Sequence, residues 1–400
     1  MKVCGIICEY NPFHRGHAHQ IAQIRALLGE DAAIVCCMSG NFVQRGEAAV
    51  APKHIRAEAA LLGGADLVLE LPLPYALSSA EGFARAGVGL LLAAGVVTDI
   101  AFGAEDADLP RLTALAQAAL EKSTIERTLE HLQSGIPYAR ARERALHQKL
   151  REESELLRRP NNILAVEYLK ALIAADGKAE AHAFARGGAG HDGGPHGDFA
   201  SAGWLRQTLR AGGWEAARPY LTPESFDLLQ RAREEGRLLL DLGRLENAVL
   251  SHLLRLTPED LAALPGASEG LEHRLYAAIR RSRSVDGIWQ EAKTKRYAAS
   301  RLRRMLMCAF LGVTAEEQAA QPPYLRVLGF SDAGRGLLRR MAEEAALPVV
   351  VRPGQVHGLG PQAQALFDKE MLADDLYALA LPSWRDTRPG DGWRRGAVMV

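Results

Sequence analysis

Two histidines, His14 and His17, stand three residues apart in a setting that suits chemistry on phosphate. They follow the apolar run Val3 to Cys8, which predicts a buried strand, and they open His17 to Leu28, which predicts an amphipathic helix. The N-terminus of a helix presents unpaired N–H groups and a positive dipole, and imidazoles beside it add donors that can be protonated near neutral pH. We therefore expect an anionic ligand and phosphoryl or nucleotidyl transfer. The alternative is that the pair only caps the helix or binds a metal ion.

Further polar or flexible residues stand where predicted strands end or a predicted helix begins. Ser39 to Glu47 is a polar loop after the second predicted strand, and Gly103 would let a nucleobase or ribose lie against the backbone. Asn161 and Asn162 open a predicted helix, and Arg186 ends a predicted strand, where a guanidinium can grip phosphate oxygens with two nitrogens. Each feature has a plainer alternative. The polar loop could be an ordinary surface loop, and Gly103 could form a plain turn. The two asparagines could only cap the helix, and Arg186 could form a surface ion pair.

A strongly basic segment lies between Arg274 and Arg304. It holds ten basic residues against two acids, in a chain whose 48 Lys and Arg residues balance 48 Asp and Glu residues. Trp289 and Tyr297 lie among these cations, an arrangement that suits unstacked RNA bases over a phosphate track. The residues that we predict to contact RNA are Lys293, Lys295, Arg296, Tyr297, Arg301 and Arg303. The alternative is a solvated helix face with ordinary ion pairs.

Common nucleotide- and metal-binding motifs are missing from the sequence. Without a G-x-x-x-x-G-K-[ST] run, a Walker-type ATPase is excluded, and the Gly-rich stretch 187–197 does not fit a dinucleotide-binding fingerprint. We interpret that stretch as a linker or an active-site lid. Its His191, Asp192 and His196 lack the fixed spacing of a metal site, so no protein-bound metal is predicted.

The elements that must position these residues alternate between strands and helices over the first hundred residues. Helical patterns separate the short apolar runs Val3 to Cys8, Ala33 to Met38, Leu67 to Leu71 and Asp99 to Phe102. This alternation predicts right-handed βαβ units and a doubly wound parallel sheet with strands buried on both faces. Ligands of such sheets bind beyond the carboxyl ends of the strands, which is where the histidines and the polar loop stand.

The composition indicates an ordinary globular chain. It has 400 residues, 48% of them hydrophobic, and a formal net charge of zero, which excludes a histone-like cation or an acidic tail protein. Five cysteines are an odd number, and four lie in two apolar runs, so we expect buried reduced thiols. No apolar run reaches the roughly 18 residues that a membrane span needs, and no cationic leader opens the sequence. We expect a cytoplasmic protein that does not enter membranes.

Several motifs together carry a family resemblance. His14-Arg-Gly-His17 resembles the H-x-G-H signature of nucleotidylyltransferases, and Phe199 to Arg206 stands where their second signature is expected, with Gly203 in place of its Thr. The further landmarks are Glu9-Tyr-Asn-Pro-Phe-His14, Met38-Ser-Gly-Asn-Phe-Val-Gln-Arg-Gly-Glu47, Gly64-Ala-Asp-Leu-Val-Leu-Glu-Leu-Pro72, Phe102-Gly-Ala-Glu105, Pro160-Asn-Asn-Ile-Leu164 and Lys293-Thr-Lys-Arg-Tyr297. This set resembles the tRNA(Met) cytidine acetate ligase family.

The resemblance implies a function and a division of the chain. Members of the family use ATP to activate acetate to acetyl-adenylate, release pyrophosphate, and transfer the acetyl group to the N4 amine of the wobble cytidine of elongator tRNA(Met). Together with the helix-rich, Arg-rich pattern after residue 201, it indicates a nucleotidylyltransferase-like α/β domain for ATP and acetate at 1–200, a helical tRNA-binding region at 201–320 and a small C-terminal α/β region at 321–400. His14 and His17 are expected to be catalytic, with Mg²⁺ carried by the triphosphate. The expected ATP contacts are Ile7, Cys8, Glu9, Tyr10, Asn11, Pro12, Phe13, Gly16, His19, Gly103, Asn161, Asn162 and Arg186.

Two other functions stay open at the level of the sequence. A small-molecule adenylyl- or cytidylyltransferase would use the same histidine pair, but it would leave the basic segment unexplained. A catalytically inactive RNA-binding protein would explain the basic segment, but intact His14, Gly16 and His17 argue against it.

Overall fold

The computed structural model describes residues 1–134, 136, 138–186, 193–268, 270–294, 297 and 299–400. Its strands are β1 Val3–Cys8, β2 Ala33–Ser39, β3 Phe42–Val43, β4 Glu47–Ala48, β5 Leu67–Leu71, β6 Asp99–Ala104, β7 Glu180–Ala185, β8 Leu325–Phe330, β9 Val349–Val350 and β10 Val398–Met399. Its helices are α1 Arg15–Leu28, α2 Lys53–Leu62, α3 Leu73–Ala76, α4 Ala80–Ala93, α5 Leu109–Leu120, α6 Lys122–Gln133, α7 Tyr138–His147, α8 Pro160–Ala174, α9 Ala202–Arg210, α10 Trp214–Ala217, α11 Pro223–Glu234, α12 Glu246–Leu253, α13 Pro258–Ala262, α14 Leu271–Arg281, α15 Val285–Ala292, α16 Ala299–Leu311, α17 Ala315–Ala319, α18 Asp332–Glu344 and α19 Pro361–Leu379.

The main sheet has the strand order β10-β8-β5-β2-β1-β6-β7, with β9 paired to β8. Strands β5, β2, β1, β6 and β7 are parallel, whereas β8 is antiparallel to β5. The mostly parallel α/β sheet is therefore confirmed. The C-terminal strands β8, β9 and β10 extend it, so part of the region 321–400 shares a sheet with the N-terminal region. The predicted boundaries at residues 200 and 320 stay predictions.

Strand β2 shows why the sheet is covered on both faces. Its residues Val35 and Cys37 pack in a core with α4, α5 and α8 on one face of the sheet. The alternate residues Ile34, Cys36 and Met38 pack in a second core with α1 and α2 on the other face. Because side chains alternate across a strand, burial on both faces demands an uninterrupted apolar run, which is the pattern that the sequence shows.

A third core joins the basic helical region to the rest of the chain. It contains residues of α12, α14, α15, α16 and α19, together with the β3–β4 hairpin that follows β2. At the hairpin turn, Gly46 has a φ of 73°, and a Cβ placed on it would lie 2.6 Å from backbone atoms of Arg303 and Arg304. The polar loop predicted from the sequence therefore lies directly against the basic helix α16, and only glycine allows this approach.

Buried ion pairs attach α19 to the sheet. Lys53 Nζ lies 2.8 Å from both Glu70 Oε1 and Asp374 Oδ2. Arg326 Nη1 lies 3.1 Å from Glu70 Oε2 and 3.4 Å from Glu370 Oε2. Burial, and then the nearby Glu70 carboxylate, raise the pKa of Glu370 to about 7. Removing one member of such a network would leave a buried charge without a partner.

Among the described residues, no helix combines the length and the apolar character needed to cross a membrane.

Candidate active site

The two histidines predicted to be catalytic cap helix α1 reciprocally. His14 is the N-cap residue, and its Nδ1 accepts the Gly16 N–H at 3.1 Å. His17 Nδ1 accepts the His14 N–H at 3.3 Å. The rings stack with their centroids 3.6 Å apart and an interplanar angle of 22°. His14 Nε2 is buried and has no hydrogen-bond partner among the described residues, so it is an unused donor at the start of the helix.

Burial keeps both imidazoles neutral. It is the largest cause that lowers the pKa of His14 to about 3, and the charges of Arg186 and Arg206 add to it. Burial, His14 and Arg186 lower the pKa of His17 well below its ordinary value. The prediction that these groups are protonated near neutral pH is therefore wrong. Because Nδ1 of each ring accepts a backbone N–H, the proton of the neutral ring sits on Nε2, and the ring offers a donor and no lone pair to a metal ion.

The segment between β1 and α1 is held by hydrogen bonds to the polar loop. Tyr10 has a left-handed φ of 45°, which side chains adopt only where their surroundings hold them. Glu9 Oε1 accepts the Gln44 N–H at 2.9 Å, and Asn11 Oδ1 accepts the Val50 N–H at 2.9 Å. Both side chains therefore bind the neighbouring loop of this chain.

The second signature region forms the start of α9. Ser201 caps this helix by accepting the Trp204 N–H at 3.1 Å. Arg206 Nη1 donates to the carbonyl oxygen of Asn11 at 2.9 Å. Arg206 thus contacts the histidine segment and adds positive charge beside His14.

Arg56 is a central residue that the sequence analysis missed. It is 1% exposed, and its guanidinium donates to the carbonyl oxygens of Ala51 and Ser39, each at 3.0 Å, and to those of Glu9 and Gly40. It therefore ties together the carboxyl ends of β1 and β2. The one signal in the sequence is a cation on the apolar side of a predicted helix, and such a cation also fits a surface position.

Arg186, Asn161 and Gly103 meet at the carboxyl ends of β6 and β7. Arg186 Nη1 donates to Asn161 Oδ1 at 3.0 Å. A Cβ on Gly103 would lie 3.1 Å from Arg186 Cγ, so the glycine leaves room for the arginine. Asn162 is completely buried, and its Oδ1 accepts the Glu105 N–H at 3.0 Å.

An open cavity of about 1170 Å³ brings most of the predicted ATP contacts together. The predicted residues that line it are Ile7, Cys8, Glu9, Tyr10, Asn11, His14, Gly16, His17, His19, Gly103, Asn161 and Arg186. Pro12, Phe13 and Asn162 are buried and are not among the residues that line it. Their contact with ATP stays a prediction.

The basic helix α16 forms the opposite wall of the same cavity. Arg301 and Arg303 line it, and Arg303 Nη1 lies 3.2 Å from Glu47 Oε1 in the hairpin. Lys293 and Arg303 each place their charge 4.9 Å from the ring centroid of Trp289. Three of the predicted RNA-contact residues, Lys293, Arg301 and Arg303, therefore lie in the cavity wall or in the cation–π cluster around Trp289.

Four residues of the basic segment differ from the prediction or lie outside the described residues. Tyr297 is 8% exposed and packs in the helical core, so its ring is not placed to stack on an RNA base. Lys295 and Arg296 lie outside the described residues. Arg304, which was not among the predicted contacts, lines the cavity, and burial lowers its pKa. In the Gly-rich stretch, His191 and Asp192 also lie outside the described residues.

Within the described residues, ligand atoms close enough together for a metal ion occur at the other end of the sheet. Asp99, Glu180 and His182 stand at the amino ends of β6 and β7. Lys2 Nζ lies 3.2 Å from Asp99 Oδ2 and 3.4 Å from Glu180 Oε2, so an ammonium group already pairs with both carboxylates of this cluster.

Comparison with known proteins agrees with this arrangement. The family model described as HIGH Nucleotidyl Transferase matches residues 1–389. A tRNA(Met) cytidine acetate ligase of Fervidobacterium nodosum is 34% identical over 408 residues, covering 96% of each chain. One from a Thermoanaerobacter species is 36% identical over 387 residues, covering 95% of this chain and 96% of the relative.

Solved structures show the same likeness over the full length. The apo structure of Thermotoga maritima TmcAL superposes with a TM-score of 0.95 at 32% identity, covering 100% of both chains. The structure of the same enzyme bound with alpha-thio ATP superposes with a TM-score of 0.92. The histidine signature, the α/β fold and these full-length matches place the chain in the HIGH nucleotidyl transferase family, among the tRNA(Met) cytidine acetate ligases.

Proposed function

We propose that this protein activates acetate with ATP and transfers the acetyl group to the N4 amine of the wobble cytidine of elongator tRNA(Met). The proposal is supported by relatives that are named for this activity and that align with at least 95% of the chain. The structural observation that carries the proposal is the shared cavity: the histidine pair and the basic helix α16 line the same space. A nucleotide-transfer site and a cationic RNA surface thus meet where the acetyl group must pass from one to the other.

In the first step, an acetate oxygen attacks the α-phosphorus of ATP. A new P–O bond forms, the bond to the β,γ-pyrophosphate breaks, and acetyl-adenylate and pyrophosphate result. His14 and His17 donate from Nε2 to phosphate oxygens, whose negative charge grows in the transition state. Arg186 lies close enough to lower the pKa of both histidines, so it adds a positive charge to the same region. Preorganised donors that are themselves buried act more strongly than they would in solvent.

We place Mg²⁺ on the triphosphate in this proposal. The nearby carboxylates of Glu9 and Glu105 already accept backbone N–H groups, so the triphosphate oxygens are the better ligands. Mg²⁺ prefers oxygen ligands and commonly binds through substrate phosphates. When bound, it would neutralise part of the phosphate charge.

In the second step, the cytidine amine attacks the acetyl carbonyl carbon. A C–N bond forms, the C–O bond to AMP breaks, and the amine loses a proton. A mixed anhydride hydrolyses readily, so transfer within a single cavity protects it better than release would. We propose that Lys293 and Arg303 face the tRNA during this step. We expect the reaction to take place in the cytoplasm, where tRNA is available.

The experiment follows the phosphate and the acyl group separately. Purified protein is incubated with ATP and labelled acetate, with and without tRNA(Met), and pyrophosphate release and label in RNA are measured. The proposal expects label in RNA that depends on ATP and on tRNA, and its loss from tRNA whose wobble cytidine is replaced by uridine. His14→Asn serves as the inactive control because it retains a good helix cap.

The outcomes separate the alternatives. Label or nucleotide retained on a small molecule, with none in RNA, would indicate an adenylyl- or cytidylyltransferase. Binding of tRNA with no pyrophosphate release would indicate an inactive RNA-binding protein. Either result contradicts the proposal.

A further inference from the structure

Behind Arg186, away from the cavity, stands a carboxylate that the sequence analysis assigned no role. Glu105 follows β6, and its Oε1 accepts the Asn161 side-chain N–H at 2.6 Å and the Asn161 backbone N–H at 3.2 Å. Its Oε2 accepts the Asn162 backbone N–H at 2.9 Å. Glu105 therefore binds the first turn of α8 from outside the cavity and orients the Asn161 amide.

That orientation decides where Arg186 can point. With its Nδ2 committed to Glu105, the Asn161 side chain turns its Oδ1 toward Arg186 and accepts Nη1–H at 3.0 Å. On the other side, Gly103 leaves the space that the Arg186 side chain occupies. The guanidinium is thus held by Asn161, while the stem of the side chain passes Gly103, and Arg186 lines the cavity near the histidines.

The chemistry of this arrangement differs from that of an ordinary ion pair. A carboxylate in direct contact with a guanidinium would bind it with two hydrogen bonds and neutralise it. An amide oxygen takes one of the five N–H donors and carries no net charge, so the remaining donors stay available to an anion. Asn161 therefore works as a neutral spacer between Glu105 and Arg186.

We propose that Glu105 is a positioning residue for ATP: acting through Asn161, it aims the Arg186 guanidinium at the phosphates without neutralising it. The inference rests on the proposed function because it takes ATP as the ligand. Glu105 itself does not line the cavity, so its effect on the nucleotide must pass through the other two residues.

A competing explanation is that Glu105 only stabilises the N-terminus of α8. A double-mutant cycle separates the two explanations. Dissociation constants for ATP are measured by calorimetry, without acetate or tRNA, for wild type, Glu105→Gln, Arg186→Ala and the double variant. Because this readout is ATP binding alone, wild type that binds ATP but makes no acetyl-adenylate would contradict the proposed function and leave this test intact.

Two further variants complete the design: one tests the link through Asn161, and the other is a control. Asn161→Ala removes the link to Arg186 and keeps both backbone N–H bonds from α8 to Glu105. Asp108→Ala removes the exposed N-cap of the next helix, α5, in the same loop, where Asp108 Oδ1 accepts the Arg111 N–H at 3.1 Å. Thermal melts of all variants report the stability of the fold.

The proposal expects Glu105→Gln and Asn161→Ala each to weaken ATP binding by about ten-fold, the loss of one hydrogen bond to a charged group. In the Arg186→Ala background, Glu105→Gln should change the ATP dissociation constant less than about two-fold. In turnover assays, KM for ATP should rise more than kcat falls. Asp108→Ala should bind ATP as wild type does. Equal losses from Glu105→Gln with and without Arg186, or wild-type ATP affinity in Asn161→Ala, would overturn the proposal.

Discussion

The ring centroids of His14 and His17 lie 3.6 Å apart, and each ring accepts a backbone N–H at the start of α1. His14 Nδ1 accepts the Gly16 N–H, and His17 Nδ1 accepts the His14 N–H. The capping function uses Nδ1 of both rings, so the pair can act on a ligand only through Nε2. In the proposed function, helix capping and phosphate binding are therefore carried by different nitrogens of the same side chains.

This division of labour predicts different results for two substitutions of His14. His14→Ala removes the donor and the cap, whereas His14→Asn removes only the donor, since Asn is a good N-cap. Both variants should lose roughly 100-fold or more in acetate-dependent pyrophosphate release. The melt of His14→Ala should correspond to a loss of about 1 kcal/mol in stability, and that of His14→Asn to much less. Near-normal pyrophosphate release by either variant would contradict the catalytic assignment.

Protein stability should fall as the pH drops from 7 to 5. The unfolded chain binds a proton at His14 near pH 6.5, while in the folded protein its pKa is lowered to about 3, so acid favours the unfolded state over this window. At pH 5, His14 accounts for about 2 kcal/mol of this loss, because each pH unit below 6.5 costs about 1.4 kcal/mol. Urea unfolding at both pH values, with His14→Asn for comparison, measures it. An equally steep pH dependence in the variant would exclude His14 as a source.

Exposed cations around Trp289 should set the affinity for tRNA. The double variant Lys293→Ala, Arg303→Ala is expected to weaken tRNA binding and to flatten its salt dependence by roughly 0.7 to 0.9 in slope per lost phosphate contact. ATP-dependent acetyl-adenylate formation without tRNA should persist. Arg335→Ala, Arg339→Ala, on the remote helix α18, is the matched control of equal charge. An unchanged salt slope would make this face an ordinary solvated surface.

The close approach of the hairpin to α16 predicts an intolerant glycine. In Gly46→Ala, the new Cβ would lie 2.6 Å from the backbone of Arg303 and Arg304, at a φ of 73°. Gly212 has a similar φ of 81°, but a Cβ added there would meet nothing within 4 Å, so Gly212→Ala bears the conformational cost alone. Urea unfolding should show Gly46→Ala to be less stable than Gly212→Ala by about 1 to 3 kcal/mol, the range for overpacking. Equal stabilities would show that the hairpin moves away freely.

Features that depend on neighbouring residues could be predicted from the sequence. Strands β1 and β5 have the bounds that their apolar runs indicate, because burial on both faces requires such runs. The pairing of His14 with His17 likewise follows from a spacing of three residues at the start of a helix.

Features that depend on distant residues emerged only from the folded chain. Glu105 meets Asn161 across 56 positions of sequence, and β8 joins the sheet beside β5 in the antiparallel sense. No local pattern encodes such contacts, since they arise where packing brings separate segments together. The protonation of His14 is of the same kind: its residue type indicates a pKa near neutrality, but desolvation by the surrounding chain and the charges of Arg186 and Arg206 lower it to about 3.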